Sequence, residues 1–337
     1  MAQSYEKPQQ PEDVYFAVMG VTGSGKSTFV SQVSKLSVRI GHGLQSCTSR
    51  VEDFDFLYSP SLRIHMIDTP GFDDTNKSDA DILTDIADWL GRSYKQGVHL
   101  SGILFLHPIN NRRMLGSARR NFQMFQKLCG KECFQSLVLS TTHWDTVAPE
   151  QAREWEKELQ TTDIFFAKML ENGSQYMRHD SGEESARTIL EHMIRTRKTF
   201  TASIQKEMVD QGLGLQDTGA GQQLNDELLR AEMNHRQEIE ELRQDFEEAR
   251  LKQDERAMQK AQEEHEELQK LIEAERKERA KLDASLEKIK REKEIELQKH
   301  RTEIAKQMAE IAKIRQSHDK SMTRARDCET KEGLSTH

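Results

Sequence analysis

The eight residues Gly20-Val21-Thr22-Gly23-Ser24-Gly25-Lys26-Ser27 constrain this chain more than any other feature. They follow the apolar run Val14-Tyr15-Phe16-Ala17-Val18-Met19 and fit the pattern Gly-x-x-x-x-Gly-Lys-Ser. A loop of this composition turns successive backbone N–H groups inward around phosphate oxygens, at a distance where side chains would collide. The run before it reads as a buried strand and the residues from Lys26 as a helix. The sequence therefore predicts a phosphate cradle made of Gly20, Thr22, Gly23, Ser24, Gly25, Lys26, Ser27 and Thr28. Lys26 is expected against the β- and γ-phosphates, Ser27 offers its hydroxyl to Mg²⁺, and Thr28 lies near the α-phosphate.

Further along, Glu52 to Tyr58 and Leu62 to Asp68 read as strands joined by the turn Ser59-Pro60-Ser61, an antiparallel pair. Ile82, Leu83, Ile86, Trp89 and Leu90 recur at helical spacing over residues 78 to 95. Strands at Ser101 to His107, Ser136 to Thr141 and Tyr176 to Arg178 alternate with helices at Gly116 to Cys129, 149 to 171 and 183 to 200. Alternation of this kind predicts an α/β three-layer sandwich with a mixed, mostly parallel sheet, and the glycine loop after its first strand makes it a P-loop NTPase.

Asp68-Thr69-Pro70-Gly71 closes the second strand of the antiparallel pair, where a carboxylate can hold Mg²⁺ and the Gly71 N–H can meet a γ-phosphate. Between the two motifs, Thr48 is the candidate third metal-shell hydroxyl, with Ser46 and Ser49 as competitors. Thr141-Thr142-His143-Trp144-Asp145 follows a strand at the place of the guanine-reading sequence Asn/Thr-Lys-x-Asp. There an aspartate accepts from guanine's N1–H and exocyclic amine, which adenine cannot match. Thr142, His143 and Asp145 are the base-binding candidates, and His143 stands where that sequence has lysine. Arg178-His179-Asp180-Ser181 is a weaker candidate for framing the base.

Beyond Thr201 the composition changes, with Phe246 as its one aromatic residue. About half of residues 224 to 317 are charged, so this stretch cannot build a globular core of its own. Residues 1 to 12 read as a flexible tail, 13 to 205 as the G domain and 206 to 223 as a glycine-bearing linker. Residues 224 to 320 read as a long α-helical coiled coil, with Ile239, Leu242 and Phe246, then Leu282, Leu286 and Ile289, on its seam. Residues 321 to 337 read as a disordered tail. Unbroken, the helix would run on the order of 140 Å. A single solvated helix or a charged disordered tail is the alternative. The net charge of −8 and pI near 5.9 argue against a general affinity for nucleic acid or anionic membranes. No transmembrane segment is expected, and Cys47, Cys129, Cys133 and Cys328 lack zinc-site spacing, so the cytoplasm is the expected location.

These motifs resemble the septin-like GTPases that include the immunity-associated GIMAP proteins, and in particular fungal proteins with a GIMAP-like G domain. The resemblance rests on Val18 to Ser27, on Ile67-Asp68-Thr69-Pro70-Gly71-Phe72-Asp73-Asp74 and on Thr141 to Asp145, and covers residues 12 to about 200. It implies a G-domain fold with GTP and GDP as ligands and Mg²⁺, and either dimerisation across the nucleotide or a residue supplied in trans to complete the site. Phe72 stands where Ras-like enzymes carry the water-orienting glutamine, so slow hydrolysis is implied and the catalytic residue is unknown. The expected function is a GTP-binding switch that forms a homodimer or higher oligomer through its G domain or coiled coil, recruiting a protein partner still unidentified. A non-hydrolysing scaffold and an ATPase are the alternatives.

Overall fold

The computed structural model describes residues 10–36, 50–74, 77–111, 117–251, 255–282 and 298. The chain divides into two units, Met1–Leu286 and Glu287–His337. In the second, the described residue Gln298 is helical.

Strand β1 (Glu12–Gly20) runs into the phosphate loop and helix α1 (Lys26–Ser34). β2 (Glu52–Ser59) and β3 (Leu62–Asp68) form the expected antiparallel pair. Then follow α2 (Asp79–Lys95), β4 (Leu100–Pro108), α3 (Ser117–Cys129), β5 (Leu137–Thr142), α4 (Pro149–Thr161), α5 (Ala167–Glu171), β6 (Gln175–Arg178) and α6 (Glu183–Thr196). The six strands are ordered β2-β3-β1-β4-β5-β6, and every neighbouring pair except β2–β3 is parallel.

The two faces of the sheet carry separate cores, as the alternation along β1 requires. Phe16 and Val18 pack on one face with Phe29, Val30, Ile189 and Met193 of α1 and α6. Ala17 and Met19 face the other, with residues of α2, α3 and α4. Because the chain leaves β1 toward β3 and leaves β4 toward β5, the carboxyl ends of these two neighbours open a crevice, the place where such sheets bind ligands.

The C-terminal part of the first unit differs from expectation. Residues 206 to 223 are packed, with Leu215 and Ala220 buried in the main core, and a helix begins at Gly219. Their glycines serve close contact here, because a Cβ on Gly221 would lie 2.0 Å from the Leu215 carbonyl oxygen. The long helix is not a single rod. An outgoing helix, Gly219–Leu251, is followed by a returning helix over residues 255–282. The two run antiparallel, since Arg279 bonds Asn225, Arg276 bonds Glu232 and His235 meets Glu275. Of the expected seam residues, Ile239 is buried within this arm, as is Ile272 of the returning helix, and Leu282 is buried in the main core. The rest of the expected coiled coil, including Leu286 and Ile289, lies outside the described residues.

The arm is tied to the G domain at both ends. Leu224 and Leu228 enter the core where the outgoing helix packs along α3, and Leu282 of the returning helix joins the same core. Among the described residues, no helix is long and apolar enough to cross a membrane.

Candidate functional site

The phosphate loop joins β1 to α1, with Gly20, Gly23 and Gly25 all at positive φ. At Gly20 the φ is 145°, and a Cβ would strike the Leu106 carbonyl oxygen at 2.2 Å, so no other residue fits there. The amides of Gly23, Gly25, Lys26 and Thr28 take no backbone acceptor among the described residues, as expected for donors reserved for a ligand at a helix N-terminus. The amides of Thr22 and Ser24, also expected to face phosphate, are already engaged. Thr22 donates to the Phe72 carbonyl at 2.7 Å and Ser24 to the Val21 carbonyl at 3.2 Å. The Ser24 side chain is buried, pointing into the protein.

Lys26 is buried, and its Nζ donates to the carbonyls of Val21 at 2.9 Å and Gly20 at 3.3 Å. Burial pushes its ammonium down to about 8, against the opposing pull of the Asp68 and Asp74 carboxylates. An anionic ligand would supply the missing compensation.

Asp68 ends β3 directly across from Ser27, whose hydroxyl donates to its Oδ2 at 2.7 Å. A carboxylate and a hydroxyl converging at the rim of a phosphate loop are the hard oxygen donors Mg²⁺ takes when phosphates complete its shell. Among the described residues, no cluster of three or more His, Cys, Asp or Glu side chains could hold a metal ion. Thr48 lies outside the described residues.

The segment after Asp68 folds onto the phosphate loop. Val21 and Phe72 form a parallel bridge, and the Phe72 amide donates to the Gly20 carbonyl. A Cβ at Gly71 would come within 2.6 Å of Lys26 Nζ and of the Thr22 backbone. Phe72 is 0 % exposed and belongs to the core, so its ring points away from the phosphate side. Asp74 comes back instead, its Oδ2 3.4 Å from the Thr22 hydroxyl, which also donates to the Gly71 carbonyl. Sequence reasoning missed Asp74; the signal was a second carboxylate three residues beyond Gly71.

On the other side of the loop, the Thr142 hydroxyl donates to the Ser24 carbonyl at 3.0 Å and pairs with His143 Nδ1 at 2.8 Å, tying the end of β5 to the phosphate loop. His143 has a left-handed backbone, φ 60°, which starts the short turn Trp144–Thr146 and leaves Asp145 exposed. Trp144 is held by its indole N–H on the Thr141 carbonyl and by the Arg178 guanidinium, 4.4 Å from its ring centre. Arg178 in turn forms a two-pronged pair with Glu156. Burial pushes the Glu156 carboxyl up, yet Arg178 and the Tyr176 hydroxyl outweigh it and hold it below the ordinary range. The His179 amide donates to the Thr141 carbonyl at 2.9 Å, bringing the segment after β6 beside the Thr142 to Asp145 turn. The His179 ring packs edge-on against Phe29 and pairs with Ser185, directed into the protein.

Residues 15–135 match the sequence family described as 50S ribosome-binding GTPase. No curated protein matched the chain. Among solved structures, the chain is similar to Toc33 from Arabidopsis thaliana in complex with GDP and Mg²⁺, at 15 % identity and a TM-score of 0.45, over 56 % of this chain and 88 % of that one. It is also similar to Era from Aquifex aeolicus bound to GDP and AlF4⁻, at 16 % identity and a TM-score of 0.41, over 56 % of this chain and 57 % of that one. The sheet order, the glycine loop after β1 and the family match over β1 to α3 together give this chain the fold of a P-loop GTPase domain.

Proposed function

We propose that this chain is a GTP-binding switch that takes Mg²⁺ with its nucleotide, hydrolyses slowly, and passes the state of the γ-phosphate to its helical arm. One observation carries this reading: Gly71, Phe72 and Asp74 rest on the phosphate loop where a γ-phosphate would lie, and the same segment leads within a few residues to the arm. The Asp73 amide donates to Asp79 at 2.9 Å, and Asp79 pairs with Arg120 of α3 at 3.2 Å. The next amide along, that of Ala80, donates to Glu278 of the returning helix at 3.1 Å. Lys281 reaches Asp81 at 2.6 Å. A phosphate that displaces Gly71 would move the start of α2 and with it the footing of the arm.

In this reading Gly23, Gly25, Lys26 and Thr28 hold the phosphates, and Ser27 and Asp68 hold Mg²⁺, with Thr48 completing the shell. Asp145 reads guanine from a turn positioned by Thr142 and His143. Asp74 takes the place of the absent glutamine by accepting a hydrogen bond from the attacking water. Cytoplasmic location, association of G domains across the nucleotide and an unidentified protein partner belong to the same proposal.

Competition among fluorescent GDP, GTP and ATP with Mg²⁺ tests it on the full chain. Guanine nucleotides should win, Asp145→Asn should remove that preference, and Lys26→Ala should weaken every nucleotide. Equal binding of ATP would transfer the case to an ATPase, and an unaltered preference in Asp145→Asn would remove Asp145 from base recognition. A scaffold that keeps nucleotide without turnover is the second reading, favoured by the burial of Phe72. Single-turnover hydrolysis separates the two. The switch reading expects slow turnover that Asp74→Asn lowers by about 10²-fold with GTP affinity retained, whereas no turnover in the wild type favours the scaffold.

A further inference from the structure

The two halves of the arm treat charge differently. Near the G domain, acids of one helix meet partners on the other: Glu232 binds the cations Arg276 and Arg279, and Glu275 meets the His235 ring. Farther out, Glu238, Glu241 and Asp245 of the outgoing helix face Glu264 and Glu267 of the returning one across a cleft of about 390 Å³. Leu242, Leu268 and Leu271 form its apolar lining, and Leu271 is 49 % exposed. Among the described residues, the support these acids receive comes along their own helices, Glu264 from Lys260 at 3.6 Å and Glu241 from Gln237 at 3.2 Å. Among the described residues, no ion pair crosses this cleft.

Like charges on both rims oppose closure of the hairpin, and two helices alone bury only a narrow seam. Both defects are removed by a third helix that lays apolar residues on the leucines and cations between the rims. An acidic rim repels nucleic acid and anionic lipid, which leaves a basic protein segment. We propose that the distal half of the arm is a docking groove for a basic amphipathic helix of a partner protein, completing a three-helix bundle. The groove is distinct from the nucleotide site, and the proposal does not depend on GTP binding.

The test uses the full-length chain and a fluorescein-labelled helical peptide with leucine at heptad positions a and d and lysine elsewhere, read by anisotropy. A control peptide carries glutamate for lysine. The lysine peptide should bind, more weakly as salt rises, and the glutamate peptide should not. Combined Glu238→Lys, Glu241→Lys, Glu264→Lys and Glu267→Lys should weaken binding about tenfold or more. The equal change Glu150→Lys, Glu154→Lys, Glu184→Lys and Glu191→Lys, on exposed positions of α4 and α6, should leave it unaltered. Should the fourfold groove variant lose its helical circular dichroism, Leu271→Asp alone, at an exposed position, decides: it should weaken the peptide with the arm intact. The proposal is overturned if the lysine peptide fails to bind, if the α4 and α6 reversals weaken it as much, or if the groove changes leave it untouched. Dispersal of a self-associated wild type by the groove reversals, without peptide binding, would make a second copy the occupant and also overturn it.

Discussion

Gly71 shows how much of the site rests on single atoms. Its Cα is packed so closely against Lys26 and Thr22 that a methyl group would sit 2.6 Å from backbone. Gly71→Ala should therefore lift Phe72 off the phosphate loop, breaking the 2.7 Å bond from the Thr22 amide. The expected cost is about 2 kcal/mol of stability, measured by denaturant unfolding, with loss of discrimination between GTP and GDP. Unaltered stability and unaltered discrimination would mean that the segment does not rest where it is described. At this scale the sequence was highly legible. Glycine spacing predicts a tight turn between strand and helix, and the turn is there with Gly20, Gly23 and Gly25 at positive φ; Asp68 stands at the end of β3, hydrogen-bonded to Ser27. A motif names the residues of a loop but not which amides the fold uses internally, and here those of Thr22 and Ser24 donate to the Phe72 and Val21 carbonyls. Asp74 has no local mark, because its contact is with Thr22, 52 positions away.

Among the elements, the joint between α2 and the returning helix makes a pH-dependent prediction. Burial raises the Glu278 carboxyl, and the Asp79 charge raises it further, against the hydrogen bond from the Ala80 amide. Asp79 is raised as well, chiefly by burial. A carboxyl raised in the folded state contributes stability that is present below its unfolded pKa and is lost as pH rises through its folded one. This joint should accordingly loosen as pH climbs from about 4 toward neutrality. Asp81 acts in the opposite sense: burial raises it, but Lys281 and Ser78 outweigh burial and hold it low, so its contribution is present above the ordinary carboxylate range and lost on acidification. Glu278→Gln keeps an acceptor for Ala80 and removes the charge. It should strengthen arm docking at neutral pH by on the order of 1 kcal/mol, an advantage that vanishes near pH 4, read by thermal melts across pH. A constant advantage at all pH values would contradict this assignment.

The strands and helices of the G domain were legible because hydrophobic period and turn residues agree there. The reversal of the arm was not, since no glycine or proline marks it. The one trace of it in the sequence is that apolar residues at seam spacing fade between Gln253 and Ala261.

For the whole molecule, the order of parts is what gives nucleotide binding a possible consequence. A phosphate loop alone would bind and release. Here the segment that covers it continues into α2, α2 is clasped by Glu278 and Lys281, and Leu282 anchors the returning helix in the same core as Phe72. Residues far apart in sequence, such as Ala80 and Glu278, meet only because the arm doubles back, so no local pattern could announce the connection. The most direct test of this account is amide hydrogen exchange over residues 255–282 in the full chain, compared between Mg²⁺–GDP and a non-hydrolysable Mg²⁺–GTP analogue at saturation. The account predicts that the two nucleotides give clearly different protection in the returning helix, and that Gly71→Ala abolishes the difference. Identical protection with both nucleotides bound would contradict it.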